Sequence, residues 1–288
     1  MHLVHTPFHS VTASHPYSRP GELTDCGRET TLALGTRLRK LYVDQLRFLP
    51  PSLGHQNEYY LRATPVERAL ESLQQVFVGL YPTPFRDLSA LPIIHSRSPA
   101  DENLFPNEAN CRRFAQLTRA FAKAAAEKWN DSPEMEYLQQ KIGKWMPGGE
   151  QVKVDSHPRL SGLFDSINTT LVHGPQTRLP DEFYEDKVRR ILNDINVDEW
   201  FRGYKESTEF RRLGISSLLE DIKTRVVAVS KGESAIKLAL MGCHDTTIVS
   251  ESIIEYRWEI LTEYHRLDCS PHSEVSTISG RHSLHRSQ

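Results

Sequence analysis

An apolar run near the C-terminal end constrains the fold of this chain most. Residues 235–242 are apolar except for Lys237 and end in Gly242, which predicts a buried strand. His244 and Asp245 follow this strand at once, and the two threonines after them can cap a helix. Because the ligands of open α/β sheets bind beyond the carboxyl ends of the strands, this pair lies where a binding site is expected.

The elements ahead of this strand alternate in type. Across residues 29–42, apolar side chains recur at three- and four-residue intervals, which predicts a helix capped by Thr24 or by the aspartate after it. An aromatic run at 58–62 predicts a strand, and Thr64 with the following proline is expected to start a second helix. Another strand is predicted at 92–95. The order helix, strand, helix, strand favours an α/β core.

The middle of the chain differs in character, because it contains no convincing strand. It contains polar helical patterns, predicted at 110–129, 134–144 and 181–196. We interpret this block as an inserted helical subdomain, or cap. The predicted division is an irregular segment at 1–20, an α/β core over 21–100 and 220–268, a cap at 101–219 and a disordered tail at 269–288.

Composition argues against several classes of protein. A formal net charge of −2, with lysine and arginine spread along the chain, argues against a nucleic-acid partner. No apolar run approaches the roughly 20 residues that span a bilayer, so no transmembrane segment is expected. The first 20 residues lack the apolar stretch of a secretory signal, which favours an intracellular protein or a gene model that begins downstream of the true start.

No metal or cofactor is expected from the cysteines and early histidines. The four cysteines have no paired spacing, so we expect reduced, mostly buried thiols at Cys26, Cys111, Cys243 and Cys269. The early histidines fit no regular helix face and have no accompanying carboxylate, which argues against a metal at His2, His5, His9 and His15.

Three polar side chains follow the predicted strands. Arg62 is expected to project from the sheet edge, and a guanidinium is the preferred bidentate partner of phosphate. The His244 imidazole can donate a hydrogen bond to a phosphate oxygen, and Asp245 can protonate a leaving-group oxygen. In the alternative interpretation, Asp245 only caps the next helix and His244 is a satisfied loop residue. Arg68 is expected to form a surface salt bridge.

Three segments, in the same order, resemble the histidine acid phosphatases. They are residues 21–24 with Gly27 and 34–39, residues 61–64 with Arg68 and 70–72, and residues 242–248. Two further stretches resemble the lysophosphatidic acid phosphatase type 6 branch of that family, namely residues 91–95 and 104–107 with Cys111. The resemblance covers about residues 20–250.

The resemblance implies a fold and a reaction. The fold would be α/β, with a doubly wound, mostly parallel sheet, helices on both faces and an inserted helical cap. In the family, a histidine in an Arg-His-Gly-x-Arg segment attacks phosphorus, and water hydrolyses the phosphohistidine. Arg62 and His244 would then bind the phosphate and Asp245 would donate the proton, with no metal or other cofactor. The implied partner is a small phosphate monoester or lysophospholipid, and the compartment is cytoplasmic or mitochondrial.

One family segment is absent. No Arg-His-Gly occurs in the sequence, so no nucleophile is identified and the first strand of the sheet is expected to be missing. Two hypotheses follow: a phosphomonoesterase represented by a truncated chain, or a binding or vestigial protein that has lost its nucleophile. A sheet without its first strand is also expected to be less stable than the size of the chain suggests. The sequence gives no indication of oligomeric state.

Overall fold

The computed structural model describes residues 21–86 and 91–248 and the backbone of residues 2–3. The helices are α1 (Asp25–Arg39), α2 (Glu67–Leu80), α3 (Arg112–Trp129), α4 (Pro133–Ile142), α5 (Leu160–His173), α6 (Asp186–Glu206) and α7 (Thr208–Ser230). The strands are β1 (His2–Leu3), β2 (Tyr59–Ala63), β3 (Ile94–Ser96) and β4 (Leu238–Gly242). The predicted tail at 269–288 lies outside the described residues.

The strands form one mostly parallel sheet in the order β1-β3-β2-β4. Strand β2 pairs in parallel with both neighbours, so that Leu61 lies beside Ile94 on one side and Leu240 on the other. Only β1 is antiparallel, and it places a strand inside the segment predicted to be irregular. The predicted α/β class with a helical subdomain is confirmed.

Strand β4 lies at the predicted place but is not buried. Its first four residues are half-buried or exposed, and only Gly242 is buried. The prediction of a buried strand is wrong because β4 ends the sheet, pairing with β2 alone among the described strands. An end strand without a second neighbour leaves apolar side chains partly accessible to water.

Helices α1 and α2 pack with their backbones in direct contact. A Cβ at Gly35 would lie 2.0 Å from the carbonyl oxygen of Val76, and one at Gly79 would lie 2.2 Å from the carbonyl oxygen of Leu32. The two glycines therefore permit the close crossing. The predicted N-cap of α1 is confirmed, since the Thr24 side chain accepts a hydrogen bond from the backbone of Gly27 at 3.2 Å.

The predicted start of α2 is wrong. Thr64 was expected to cap this helix, but the helix begins at Glu67 after Val66, which provides no side-chain cap. Thr64 instead continues the sheet, because its N–H donates to the carbonyl oxygen of Gly242 at 3.1 Å. Its hydroxyl is therefore free to face the end of β4.

The central block is helical, and no strand lies within residues 101–219, all of which are described. The helices predicted at 110–129 and 134–144 correspond to α3 and α4, and the one predicted at 181–196 begins later and extends to Glu206. Helix α5 was not predicted. Helix α7 runs across position 219, so the division of the chain at that point remains a prediction.

The described residues form four hydrophobic clusters, and the two largest share no residue. The sheet cluster joins β2, β3, α2 and the segment after α1, and includes Val43, Leu61, Phe77, Leu80 and Ile94. The cap cluster joins α4, α5 and α6, and includes Leu138, Ile142, Leu160, Ile167 and Leu192. Each part of the fold therefore has a core of its own.

The cysteines differ from expectation. Cys26, Cys111 and Cys243 are half-buried, so the expectation of mostly buried thiols is wrong for these three, and Cys269 lies outside the described residues. Within residues 21–86 and 91–248, no helix is both long enough and apolar enough to cross a bilayer.

Candidate active site

The carboxyl ends of β2 and β4 meet at one edge of the sheet. Ala63 lies beside Gly242 in the parallel register; Thr64 follows β2 directly, and His244 is the second residue after β4. As a result, Thr64 after β2 and His244 after β4 face each other. The Thr64 hydroxyl and the His244 Nε2 atom are 3.1 Å apart, close enough to hydrogen bond.

The orientation of His244 is fixed by two further contacts. Its backbone N–H donates to the Thr247 hydroxyl at 3.3 Å, and its ring meets the ring of Phe105 edge-on, with 5.9 Å between the ring centroids. Burial, together with the positive charge of Arg68, lowers the pKa of His244. The imidazole therefore stays neutral at pH values where an ordinary histidine begins to take up a proton.

The turn that carries His244 is anchored to the segment after β3. The hydroxyl of buried Thr247 donates to the carbonyl oxygen of Leu104, and the Thr247 N–H donates to the carbonyl oxygen of His244 at 3.0 Å. This contact brings residues 104–105, noted in the sequence only for their resemblance, into the site.

Asp245 lies at the start of the helical residues that follow β4. Its side chain is exposed, and Oδ1 accepts a hydrogen bond from the N–H of Thr246 at 2.7 Å. A capping side chain accepts instead from an N–H two or three residues further along, so this bond is not the one that the capping alternative predicts. The carboxylate also lines a cavity.

Arg62 is engaged by the chain's own carboxylates. Its side chain is 1% exposed, and Nη2 pairs with the buried carboxylate of Glu102. Nη1 donates to Asp221 at 3.2 Å, and Asp221 also pairs with Arg97. Nη2 also donates to the Asn103 side chain at 2.6 Å. The two guanidinium groups thus face two carboxylates, and the network carries no net charge.

Two atoms of this network have no hydrogen-bond partner although they are buried: Nε of Arg62 and Oε2 of Glu102. A buried donor without an acceptor is destabilising. The Arg62 Nε–H is therefore a donor that a ligand oxygen could satisfy. Arg62 and His244, the predicted phosphate-binding pair, lie at the same edge of the sheet, and no hydrogen bond joins them among the described residues.

Arg68 behaves differently from expectation. Among the described residues it forms no ion pair, so the predicted surface salt bridge is wrong. Its charge instead acts on His244, as the lowered pKa of that imidazole indicates. Because α2 begins at Glu67, Arg68 lies in the first turn of that helix, close to the end of β2.

A cavity of about 180 Å³ lies beside Asp245, under helices α5 and α6 of the cap. We call it the Asp245 cavity. Besides Asp245, Ser161 and Val197, its lining contains Phe164, Asp165, Asn168, Asn196, Trp200 and Phe201. Burial, together with the negative charge of Asp245, raises the pKa of Asp165. The sequence indicated none of these cap residues, because helix α5 itself was not predicted.

The described residues include no histidine placed like a nucleophile at the edge shared by Thr64 and His244. His95, in β3, stacks on Tyr60 with 5.2 Å between ring centroids, and burial and the charge of Arg225 lower its pKa. The side chains of the four early histidines lie outside the described residues. Within the described ranges, no three metal-binding side chains cluster together.

Comparison with known proteins shows similarity to histidine phosphatases. The model of the histidine phosphatase superfamily (branch 2) matches residues 12–266. A probable acid phosphatase of Schizosaccharomyces pombe is 42% identical over 90% of this chain and 58% of its own length. Lysophosphatidic acid phosphatase type 6 of Mus musculus is 33% identical over 83% of this chain and 55% of its own length.

The chain thus spans little more than half the length of these relatives. Among solved structures, a phytase of Klebsiella sp. ASR1 superposes with a TM-score of 0.51 at 16% identity, covering 82% of this chain and 64% of the phytase chain. The Hafnia alvei phytase bound to tartrate gives a TM-score of 0.50, also at 16% identity, over 84% of this chain and 69% of its own. At that identity the likeness concerns the fold alone.

Proposed function

This chain belongs to the histidine phosphatase superfamily (branch 2), and from that premise we propose that it binds a phosphate monoester at the edge of the sheet and hydrolyses it as an acid phosphatase. The observation that carries the proposal is the pair at the end of β4. His244, whose pKa is lowered by burial and by the charge of Arg68, is held by Thr64 and Thr247 and lies next to the accessible carboxylate of Asp245.

His244 and Arg62 are the proposed phosphate ligands. A neutral imidazole has one N–H, and a phosphate oxygen at this edge can accept it. Arg62 has an unpaired Nε–H and two Nη groups that are held by carboxylates. Phosphate oxygens would compete with those carboxylates for the guanidinium, in the bidentate geometry that arginine favours.

Asp245 is the proposed proton donor. Cleavage of a phosphate monoester leaves an alkoxide unless a proton reaches the ester oxygen as the P–O bond breaks. An aspartate can supply that proton only from its protonated form, so this role favours acidic pH. The attacking group is not assigned to a described residue, and in the family that role belongs to a histidine.

A binding or vestigial protein is the second candidate function. It is favoured by one specific observation: the guanidinium of Arg62, a proposed phosphate ligand, is already paired with Glu102 and Asp221. Within the first candidate, a lysophospholipid such as lysophosphatidate is one substrate of the class. Its support is the name of the Mus musculus relative.

The test is an assay of the purified chain with an aryl phosphate from acidic to neutral pH. His244→Ala and Asp245→Ala are expected to lower turnover by at least about a hundredfold. His55→Ala and Asp194→Ala, two exposed positions outside the site, serve as matched controls. Turnover that survives both site substitutions would contradict the proposal. A folded chain that binds the ester through His244 without turnover would support the binding protein.

A further inference from the structure

The Asp245 cavity offers hydrogen-bond acceptors and no cation of its own. The carboxylates of Asp165 and Asp245 both line it, and neither forms an ion pair with another described residue. Ser161, Asn168 and Asn196 complete its polar lining. A ligand with a second negative charge would meet two carboxylates there, so the cavity disfavours polyanions.

A buried amide provides an independent sign of a ligand. Asn196 is 7% exposed and lines the cavity. Its Nδ2 donates to the carbonyl oxygen of Leu192 at 2.8 Å, which leaves Oδ1 as the free end of the side chain. That oxygen is buried without any hydrogen-bond donor. A buried acceptor without a partner is rare in proteins, and a ligand that donates a hydrogen bond would satisfy it.

Apart from Val197, the remaining walls are aromatic. Phe164 comes from α5, and Trp200 and Phe201 come from α6, so rings from two helices flank the carboxylates. The faces of aromatic rings attract cations, and a carboxylate beside them adds to that attraction. The cavity therefore combines aromatic rings, carboxylates and an acceptor without a donor. An ammonium group, which is positively charged and has N–H donors, can interact with all three.

We infer that the Asp245 cavity binds the leaving group of the substrate, and that this leaving group is a small alcohol carrying a protonated amine. The inference rests on the proposed function, since Asp245 would protonate the ester oxygen of the same alcohol. Asp165 on the cap would then be a specificity-determining residue, which pairs with the ammonium group while His244 and Arg62 hold the phosphate.

Two phosphate esters of equal size test the effect of the ammonium charge on binding. O-phosphoethanolamine and propyl phosphate differ only by an ammonium group in place of a methyl group. Calorimetry with the full chain is expected to show that O-phosphoethanolamine binds about tenfold more tightly than propyl phosphate. That ratio is what one partly desolvated ion pair is expected to contribute. Asp165→Asn should remove that preference. Asp194→Asn, an exposed aspartate on α6 outside the cavity, should preserve it.

Equal binding of the two esters by the native chain, or a preference that survives Asp165→Asn, would overturn the inference while leaving the proposed function intact. A preference for lysophosphatidate over O-phosphoethanolamine would overturn it as well. Free ethanolamine and propan-1-ol, the alcohols of the two esters, allow binding in the cavity to be compared without the phosphate. If neither ester binds but ethanolamine still binds more tightly than propan-1-ol, the proposed function fails and the ammonium site stands.

Discussion

At the scale of single residues, the buried charge of Arg62 is the feature that most affects the electrostatics of the candidate site. Its guanidinium is paired with Glu102 and Asp221 before any ligand arrives. A phosphate bound at Arg62 as proposed would therefore compete with carboxylates that are already part of the protein. Stability and phosphate affinity are expected to respond in opposite directions when one of these carboxylates is neutralised.

Glu102→Gln tests that expectation. The amide keeps the shape and one acceptor but removes a buried negative charge, so Arg62 loses its main counter-charge. We expect the free energy of unfolding to fall by about 2 kcal/mol and inorganic phosphate to bind several-fold more tightly. Urea denaturation and calorimetry measure the two quantities. A variant in which phosphate binding weakens would show that Glu102 positions Arg62 for the ligand instead of competing with it.

The lowered pKa values of His95 and His244 predict how stability depends on pH. Burial is the main cause in both, followed by the positive charges of Arg225 and Arg68, respectively. Below about pH 6.5 the unfolded chain takes up protons that the folded chain does not, so the unfolded state binds more protons and stability falls as the pH falls.

We therefore expect His95→Gln and His244→Gln each to flatten the dependence of Tm on pH between about 7 and 5. Thermal melts across that range measure the slope. The double variant should flatten it further, because the two rings act as separate proton-binding sites. Unchanged slopes in both single variants would contradict the assignment.

At the scale of elements, the crossing of α1 and α2 leaves no room for a side chain. Gly35→Ala would force a methyl group against the backbone of Val76, and we expect a loss of about 3 kcal/mol. Gly162→Ala, in α5, is the matched control, because a Cβ there meets nothing within 4 Å. That control should be neutral or stabilising by about 0.5 kcal/mol. Chemical denaturation of both variants compares them, and equal stabilities would contradict the close crossing.

Local signals explain which elements were predictable from the sequence. Thr24 could be identified as a cap because a capping hydroxyl acts within a few residues. The role of Thr64 could not, because its partner His244 is distant in sequence and their contact depends on the register of β2 and β4. Helix α5 contains threonine, serine and asparagine, which are weak helix formers, and packing of Leu160 and Ile167 in the cap compensates for them.

The same distinction applies to the candidate site. His244, Asp245 and Arg62 were predicted because each follows or ends a strand whose pattern is visible in the sequence. Their roles remain proposals. Asp165 and Asn196 belong to helices that meet the sheet only through tertiary packing, so no spacing along the chain connects them with Asp245. Composition likewise gave no indication that Glu102 would be buried against Arg62.

At the scale of the whole molecule, separate sheet and cap clusters predict separable unfolding. Leu61 and Leu138 are both fully buried, one in each cluster. Replacement of either by alanine should cost about 2–5 kcal/mol. Hydrogen exchange should then accelerate mainly in α1, α2 and β2 for Leu61→Ala, and mainly in α4–α6 for Leu138→Ala. A uniform acceleration throughout the chain in both variants would contradict separate cores.

The separate clusters also bear on how such a protein can diverge. Substitutions in α5 and α6 that preserve the packing of the cap cluster leave the sheet cluster unchanged, whereas Glu102 and Leu104 contact Arg62 and Thr247 directly and are constrained by the site. Lineages can therefore let α5 and α6 drift while residues 102–105 and the edge of the sheet stay fixed. Natural variation among relatives should accordingly concentrate in the walls of the Asp245 cavity.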